Sequence, residues 1–328
     1  MENKYKIYKG PEKITDNVGI LDFDNPKYYK PSKSLSDAVN VAILLGKPLL
    51  ITGEPGTGKS QLANSIAYDL ELNLYKYIAK TNSISRDIFY YYDSIRHFHD
   101  ANLAKSTINQ LDIVNTSDYT KYIRFEALGM AIKEASINKS EKEKKRSVVL
   151  IDEIDKAPRD FPNDILYELE ELYFKINETG EEYLADKKYR PIIIITSNSE
   201  RLLPDAFLRR CLYYHIEFPN ENQLMEIILN RIKDGNAKNG GLRLSYSNQE
   251  IEIIIQHFFE IREICTLKPP ATAELLSWLQ LLEKLNLNIE KLKDISSLGE
   301  TEREILGLSY SILAKHKEDI LKLKDRFL

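Results

Sequence analysis

The stretch GEPGTGKS, Gly53 to Ser60, restricts the fold of this chain more than any other segment. It satisfies the spacing G-x-x-x-x-G-K-[ST]. The apolar run PLLIT (48–52) before it reads as a short buried strand, and GKSQLANSIAYDLEL (58–72) reads as a helix. Strand, glycine loop and helix, in that order, let backbone N–H groups turn inward around phosphate oxygens. The helix N-terminus adds partial positive charge. Gly53, Pro55, Gly56, Thr57, Gly58, Lys59, Ser60 and Gln61 are therefore the expected nucleotide-phosphate set. Lys59 is placed to reach the β- and γ-phosphates, and the Ser60 hydroxyl to ligate Mg2+. A chance match in a Gly/Ser turn would lack the flanking strand and helix.

Two further apolar runs end in polar residues. SVVLIDEID (147–155) runs out into Asp152 and Glu153. Asp152 is expected to hold the magnesium, mainly through its water shell. Glu153 is expected to polarise an attacking water as general base. Adjacent carboxylates at a strand end need a cation or solvent, so a solvated acidic turn is the plainer alternative. PIIIITSN (191–198) ends at Asn198. In a parallel sheet the strand C-termini line the ligand crevice. Asn198 either orients the water or caps the following turn.

Short apolar strands interleaved with helices predict an α/β fold, a parallel sheet covered on both faces. SLSDAVNVAILLGK (34–47) is the expected first helix, with Ser34 or Ser36 as N-cap. LYKYIA (74–79) and LYYHIEF (212–218) read as strands, and YIRFEALGMAIKEA (122–135) and PNDILYELEEL (162–172) as helices. YFKINETGEEYLAD (173–186) reads as a hairpin turning near Glu178–Gly180. The charge run NKSEKEKKR (138–146) reads as a solvated loop. After Pro219 every long segment is helix-like; Ile251, Ile254, Ile255 and Phe258 follow the i, i+3, i+4, i+7 spacing. The expected division is an extended leader over 1–33, an α/β core over 34–219 and a smaller all-α domain over 220–328.

Together these residues resemble the AAA+ ATPases, with Walker A at Gly53–Ser60, Walker B at Val148–Glu153 and sensor 1 at Asn198. LLITGEPGTGKS, VVLIDEIDKAPRDFPNDIL, ITSNSERLLPDAFLRRC, the hairpin before sensor 1 and the insert containing RDIFYYYDSIRHFHD look like the MoxR group. The resemblance spans roughly residues 34–285. It implies a P-loop sheet with a presensor-1 hairpin and a helical lid. It also implies Mg-dependent ATP hydrolysis and a homo-oligomeric ring, expected to be a hexamer. Partners of the group are often proteins with a von Willebrand factor A domain.

The resemblance also gives the pair Arg209 and Arg210 a place. Related proteins carry an arginine at the end of the helix after sensor 1 that points into the neighbouring subunit's site. There it stabilises transition-state charge, an effect of about 10³–10⁵ in related phosphoryl transfers. Arginine suits the role because its planar, permanently charged fork binds oxygen pairs. Arg210, directly before Cys211, is the first choice, with Arg209 assisting. The plainer reading is a surface pair tied to Asp205.

Where many relatives place a lid arginine, LKPPATAELLSW holds Glu274. Lys268 is the nearby cation, either a substitute sensor or an exposed loop lysine. The leader matches no motif; Val39, Ile43 or leader residues either help enclose adenine or pack the core. Arg86 to His99 either faces a central pore or packs as an insert on the sheet. His97 and His99 lack a third metal ligand in any recognisable pattern. Trp278, among leucines, reads as core.

Composition limits the alternatives. The 328 residues are 43% hydrophobic and 29% charged, with net charge −4 and pI near 5.9. Nucleic acid is not an expected partner. Two cysteines, Cys211 and Cys265, lie outside any CxxC, which fits a reducing, cytoplasmic setting. MENKYKIYKG lacks the apolar core of a secretory signal. No apolar run approaches the roughly 18 residues of a membrane span. The expected function is a MoxR-type ATPase that remodels a partner protein. The alternatives are a DNA-directed clamp-loader or helicase-like subunit, a small-molecule kinase or GTPase, and a slowly hydrolysing switch.

Overall fold

A computed structural model describes residues 25–106, 118–198, 203–233, 244–285 and 287–328. Residues 1–24 of the expected leader lie outside these described residues. In chain order the elements are α1 (Lys33–Leu45), β1 (Leu49–Gly53), α2 (Lys59–Asp69), β2 (Asn73–Ile78), β3 (Tyr90–Tyr92) and α3 (Ser94–Ser106). There follow β4 (Ile123–Phe125), α4 (Ala127–Glu134), β5 (Ser147–Asp152), α5 (Phe161–Asp164), α6 (Leu166–Glu171), β6 (Tyr173–Lys175) and β7 (Glu182–Leu184). Next come β8 (Ile192–Thr196), α7 (Asp205–Leu208) and β9 (Leu212–Ile216). The chain closes with α8 (Glu221–Lys233), α9 (Asn248–Ile264), α10 (Thr272–Leu285), α11 (Glu300–Leu313) and α12 (Lys317–Phe327).

Contacts divide the chain into two compact units. Among the described residues, one holds Pro31–Gly53 and Leu62–Ile216, and the other holds residues 25–30, Glu54–Gln61 and Glu217–Leu328.

The first unit is built on a five-stranded sheet of order β2-β5-β8-β1-β9. Every neighbouring pair in it is parallel. The apolar runs explain the order. All five residues of β1 and of β8 are buried, and β5 is buried up to Ile151. Such strands need cover on both faces and so take the centre. β2 and β9 mix exposed with partly buried residues and form the edges. The order sets the C-terminal ends of β5, β8 and β1 side by side at one end of the strands.

Several local expectations change. The N-cap of α1 is Ser32, whose side chain accepts from the Leu35 N–H; Ser34 and Ser36 fall inside the helix. The segment 122–135 is not one helix. Ile123–Phe125 pairs antiparallel with Tyr90–Tyr92, and the helix starts only at Ala127. Alternation of Ile123 and Phe125 favours the strand, and extended Glu126 separates the two elements. The segment 162–172 is broken at Ile165 into α5 and α6. The charge run is not wholly solvated. The Lys144 side chain is only 8% exposed, with Nζ 2.6 Å from Asp186 and 2.8 Å from Glu141.

The hairpin β6–β7 forms as expected and turns through Gly180 at φ +75°. Phe174 stacks on Tyr183 and Phe89 with ring centres 5.2 and 5.3 Å apart. The aromatic insert is thus divided: Ile88, Phe89 and Tyr90 are core, while Tyr91, Ile95 and Phe98 are exposed. Gly129 lets α4 approach this insert closely; a Cβ there would lie 1.9 Å from the Phe89 carbonyl oxygen.

The second unit is helical, and its apolar spacings are met. Ile251, Ile254, Ile255 and Phe258 of α9 are buried with Leu275, Trp278 and Leu279 of α10. α9 opens on a capping box of Ser247 and Glu250. Trp278 is core, and its Nε1 donates to Ser309 Oγ at 2.9 Å.

Candidate functional site

At the end of the sheet, β5 runs into Asp152 and then Glu153. Glu153 has φ 55° and ψ 47°, the left-handed region. For a residue with a Cβ this costs about 1–2 kcal/mol, so something must hold it. Thr196, the last residue of neighbouring β8, does so. Its buried hydroxyl accepts from the Glu153 N–H at 2.9 Å and donates to Asp152 Oδ1 at 2.5 Å. One hydroxyl fixes both acids. The chain then turns back, and Lys156 Nζ lies 2.5 Å from Glu153 Oε2. That hydrogen bond holds the Lys156 ammonium above its usual lysine range. Asn198 follows two residues beyond Thr196. Its N–H donates to Asp155 Oδ1 at 3.2 Å, and its side chain is exposed. Sequence reasoning singled out Asp152, Glu153 and Asn198 but missed Thr196 and Lys156. The signal for Thr196 was a hydroxyl ending an otherwise aliphatic strand.

The glycine loop leaves β1 at Gly53 and enters α2 at Lys59. Gly56 and Gly58 have φ +77° and +86°, which L side chains rarely adopt. Space also requires glycine: a Cβ on Gly56 would lie 2.2 Å from Ala271 Cβ, and one on Gly58 would lie 3.0 Å from the Tyr29 ring. The Glu54 carbonyl gathers the loop, accepting from Thr57 Oγ1 at 2.8 Å and from Lys59 Nζ at 2.9 Å. Lys59 is 8% exposed. A buried lysine held by a loop carbonyl, glycines with no room for a Cβ and the first turn of a helix suit a polyanion. Ser60 and Gln61 continue that first turn.

Residues 48–211, half of the chain, match the AAA domain (dynein-related subfamily). The chain belongs to the AAA family. AAA domains bind ATP, generally with Mg2+, and AAA proteins typically assemble into oligomers. No curated protein matches the chain. Among solved structures it is similar to two mutants of RuvB from Thermotoga maritima. One is 17% identical with TM-score 0.40, covering 89% of this chain and 78% of that chain. The other is 17% identical with TM-score 0.39, covering 85% and 75%.

The AAA match ends at Cys211, directly after the arginine pair. α7 closes with Arg209 as its C-cap, exposed, and Arg210 follows. Arg210 is not tied to Asp205. Its Nε lies 2.9 Å from Glu170 Oε1 on α6, and its Nη1 donates to the Ala206 carbonyl at 3.1 Å. Both thiols are free, and burial pushes Cys211 up to about 12 and Cys265 up to about 11, well away from thiolate chemistry.

In the helical unit, Lys268 lies exposed between α9 and α10, and Glu274 accepts from the Ala271 N–H at 3.2 Å. A cation of the helical unit that reaches the AAA glycine loop is Arg262, with Nη2 2.9 Å from Glu54 Oε2. Sequence reasoning missed it. His97 is occupied locally, its Nδ1 2.5 Å from the Tyr92 hydroxyl. Among the described residues no group of three or more side chains is arranged to hold a metal ion. Nor is any described helix long and apolar enough to cross a membrane.

Proposed function

We propose that this AAA protein hydrolyses ATP as a subunit of a ring and uses the turnover to remodel a partner protein, in the manner of the MoxR group. The observation that carries the hydrolytic reading is Glu153, held left-handed by Thr196 beside Asp152, in a chain whose β1 leads directly into the phosphate loop. A carboxylate kept in a costly backbone conformation by a dedicated hydroxyl marks a functional position.

In this reading residues 34–219 bind the nucleotide and 220–328 act as lid. Residues 53–61 cradle the phosphates, with Lys59 moving from the Glu54 carbonyl to phosphate oxygens. Ser60 and Asp152 are the residues that would hold Mg2+, which when bound neutralises phosphate charge. Glu153 takes a proton from water as the water oxygen attacks the γ-phosphorus, and ADP departs with the electron pair of the broken P–O bond. Asn198 orients that water. Lys156, with Nζ 2.5 Å from Glu153 Oε2, holds that carboxylate in place. Arg210, with Arg209 beside it, acts on the neighbouring subunit's nucleotide.

A Glu153→Gln variant tests the reading, because it keeps shape and hydrogen bonding but cannot accept the proton. It should bind ATP as the native chain does, lose at least about 100-fold in turnover and retain partner proteins in pull-downs. Unchanged turnover overturns the assignment of Glu153. Retention of DNA with no protein would replace the remodelling role with a DNA-directed one.

A further inference from the structure

The phosphate loop carries a charge of the same sign as its proposed ligand. Glu54 sits between Gly53 and Gly56, in a segment that we read as the cradle of a polyanion. Its side chain is 55% exposed, and its carbonyl is the one that collects Thr57 and Lys59. An unbalanced carboxylate here would repel the phosphates that Lys59 and the loop amides attract.

Arg262 answers that charge, and it is built to stay in place. It lies in the last turn of α9, its side chain 12% exposed. Its guanidinium centre is 3.4 Å from the Phe218 ring centroid, and Phe218 is itself stacked 6.4 Å from Phe258 in the helical core. Nη1 donates to the Pro270 carbonyl, and Nη2 donates to Glu54 Oε2 at 2.9 Å. A guanidinium fixed by an aromatic face and a carbonyl has lost most of its conformational freedom before it meets Glu54. A lysine would have neither the planar face nor the fork.

We propose that Arg262 is a positioning residue for nucleotide binding. It neutralises the Glu54 carboxylate and fixes that side chain, so that the cradle offers polyphosphate a net attraction. This rests on reading residues 53–60 as the phosphate cradle.

The test is a double-substitution cycle on the full chain. It uses a fluorescent ADP analogue displaced by ATP or ADP, with thermal melting to confirm folding. Arg262→Ala leaves Glu54 uncompensated and should weaken ATP and ADP by about tenfold. Glu54→Gln removes the opposing charge, so Glu54→Gln with Arg262→Ala should return to within about threefold of Glu54→Gln alone. Arg262→Lys, which keeps the charge, should lose less than Arg262→Ala. Three outcomes overturn the proposal. One is native affinity in Arg262→Ala. Another is a double variant as weak as Arg262→Ala, as expected if Arg262 touched phosphate itself or served only the fold. The third is Arg262→Lys as weak as Arg262→Ala. Failure of the native chain to bind either nucleotide would instead overturn the underlying ATP reading.

Discussion

Thr196→Val isolates the hydroxyl that fixes both acids, since valine preserves the shape. Thr196 is 1% exposed, so the cavity is neither opened nor filled. Two hydrogen bonds disappear. The bond to the Asp152 carboxylate is charge-assisted, worth about 1.5–3 kcal/mol, and orphaning the Glu153 N–H costs about 1–3 kcal/mol. Asp152 and Glu153 are partly exposed, so water recovers part of each. The net loss should be about 2–4 kcal/mol, which lowers the melting temperature of the sheet unit by about 5–15 °C. Glu153 then loses the hydroxyl that holds its left-handed backbone, a conformation costing about 1–2 kcal/mol, and it relaxes. ATP turnover should fall at least about tenfold, because a base must be held within reach of the proton it abstracts. Thr196→Ser keeps the hydroxyl and should keep most of both properties. The assays are thermal melting by circular dichroism and steady-state phosphate release. A valine variant that melts within about 1 °C of native and turns over ATP normally would refute the assigned role of this hydroxyl.

Two predictions concern the frame around the site. Gly129→Ala would place a Cβ 1.9 Å from the Phe89 carbonyl oxygen, which is backbone and cannot swing aside. Chemical denaturation should show a loss of at least about 2 kcal/mol, and an unchanged midpoint would mean that α4 and the insert do not pack this closely. In the helical unit, burial pushes His257 down to about 4; its Nε2 lies 2.8 Å from the Tyr310 hydroxyl and its Nδ1 3.5 Å from Glu260 Oε2. Unfolded chains take up that proton below about 6.5 while the folded unit does not until about 4, so stability falls as pH drops across that window. The loss at the bottom is about 3 kcal/mol. His257→Gln keeps a polar partner for Tyr310 without titrating, and urea unfolding at pH 7.5 and 4.5 should show a correspondingly smaller difference. An equal pH dependence in both proteins would place the titration elsewhere.

The legible parts of the fold are those coded at short range. β1, β5 and β8 announce themselves because a strand buried on both faces must be continuously apolar. The glycine loop does so because the φ values at Gly56 and Gly58 exclude other residues. The helical unit follows from 3.6-residue spacing, as at Ile251 to Phe258. What was not legible depends on partners distant in sequence. Glu54 and Arg262 are 208 positions apart, and Glu153 and Thr196 are 43 apart. Glu170 approaches Arg210 only because the chain returns between α6 and α7. Local ambiguity explains the rest. Tyr122 to Ala135 fits helical spacing, but its first residues gain more from pairing with the aromatic insert than from propensity, which is a weak preference. Ser32 precedes the apolar pattern it caps, so the pattern points to Ser34 or Ser36, two or four residues too late.

The claim that the nucleotide is hydrolysed between neighbouring subunits has a direct measurement. Arg210→Ala and Glu153→Gln chains are each prepared, shown to bind ATP, mixed, and assayed for phosphate release. Each alone should be inactive, the first lacking the charge that reaches the neighbour and the second lacking the base. In mixed assemblies some interfaces set Arg210 of one chain against Glu153 of the other, and turnover should reappear with a maximum near equal proportions. If co-assembly is confirmed and no mixture regains activity, Arg210 does not act across subunits.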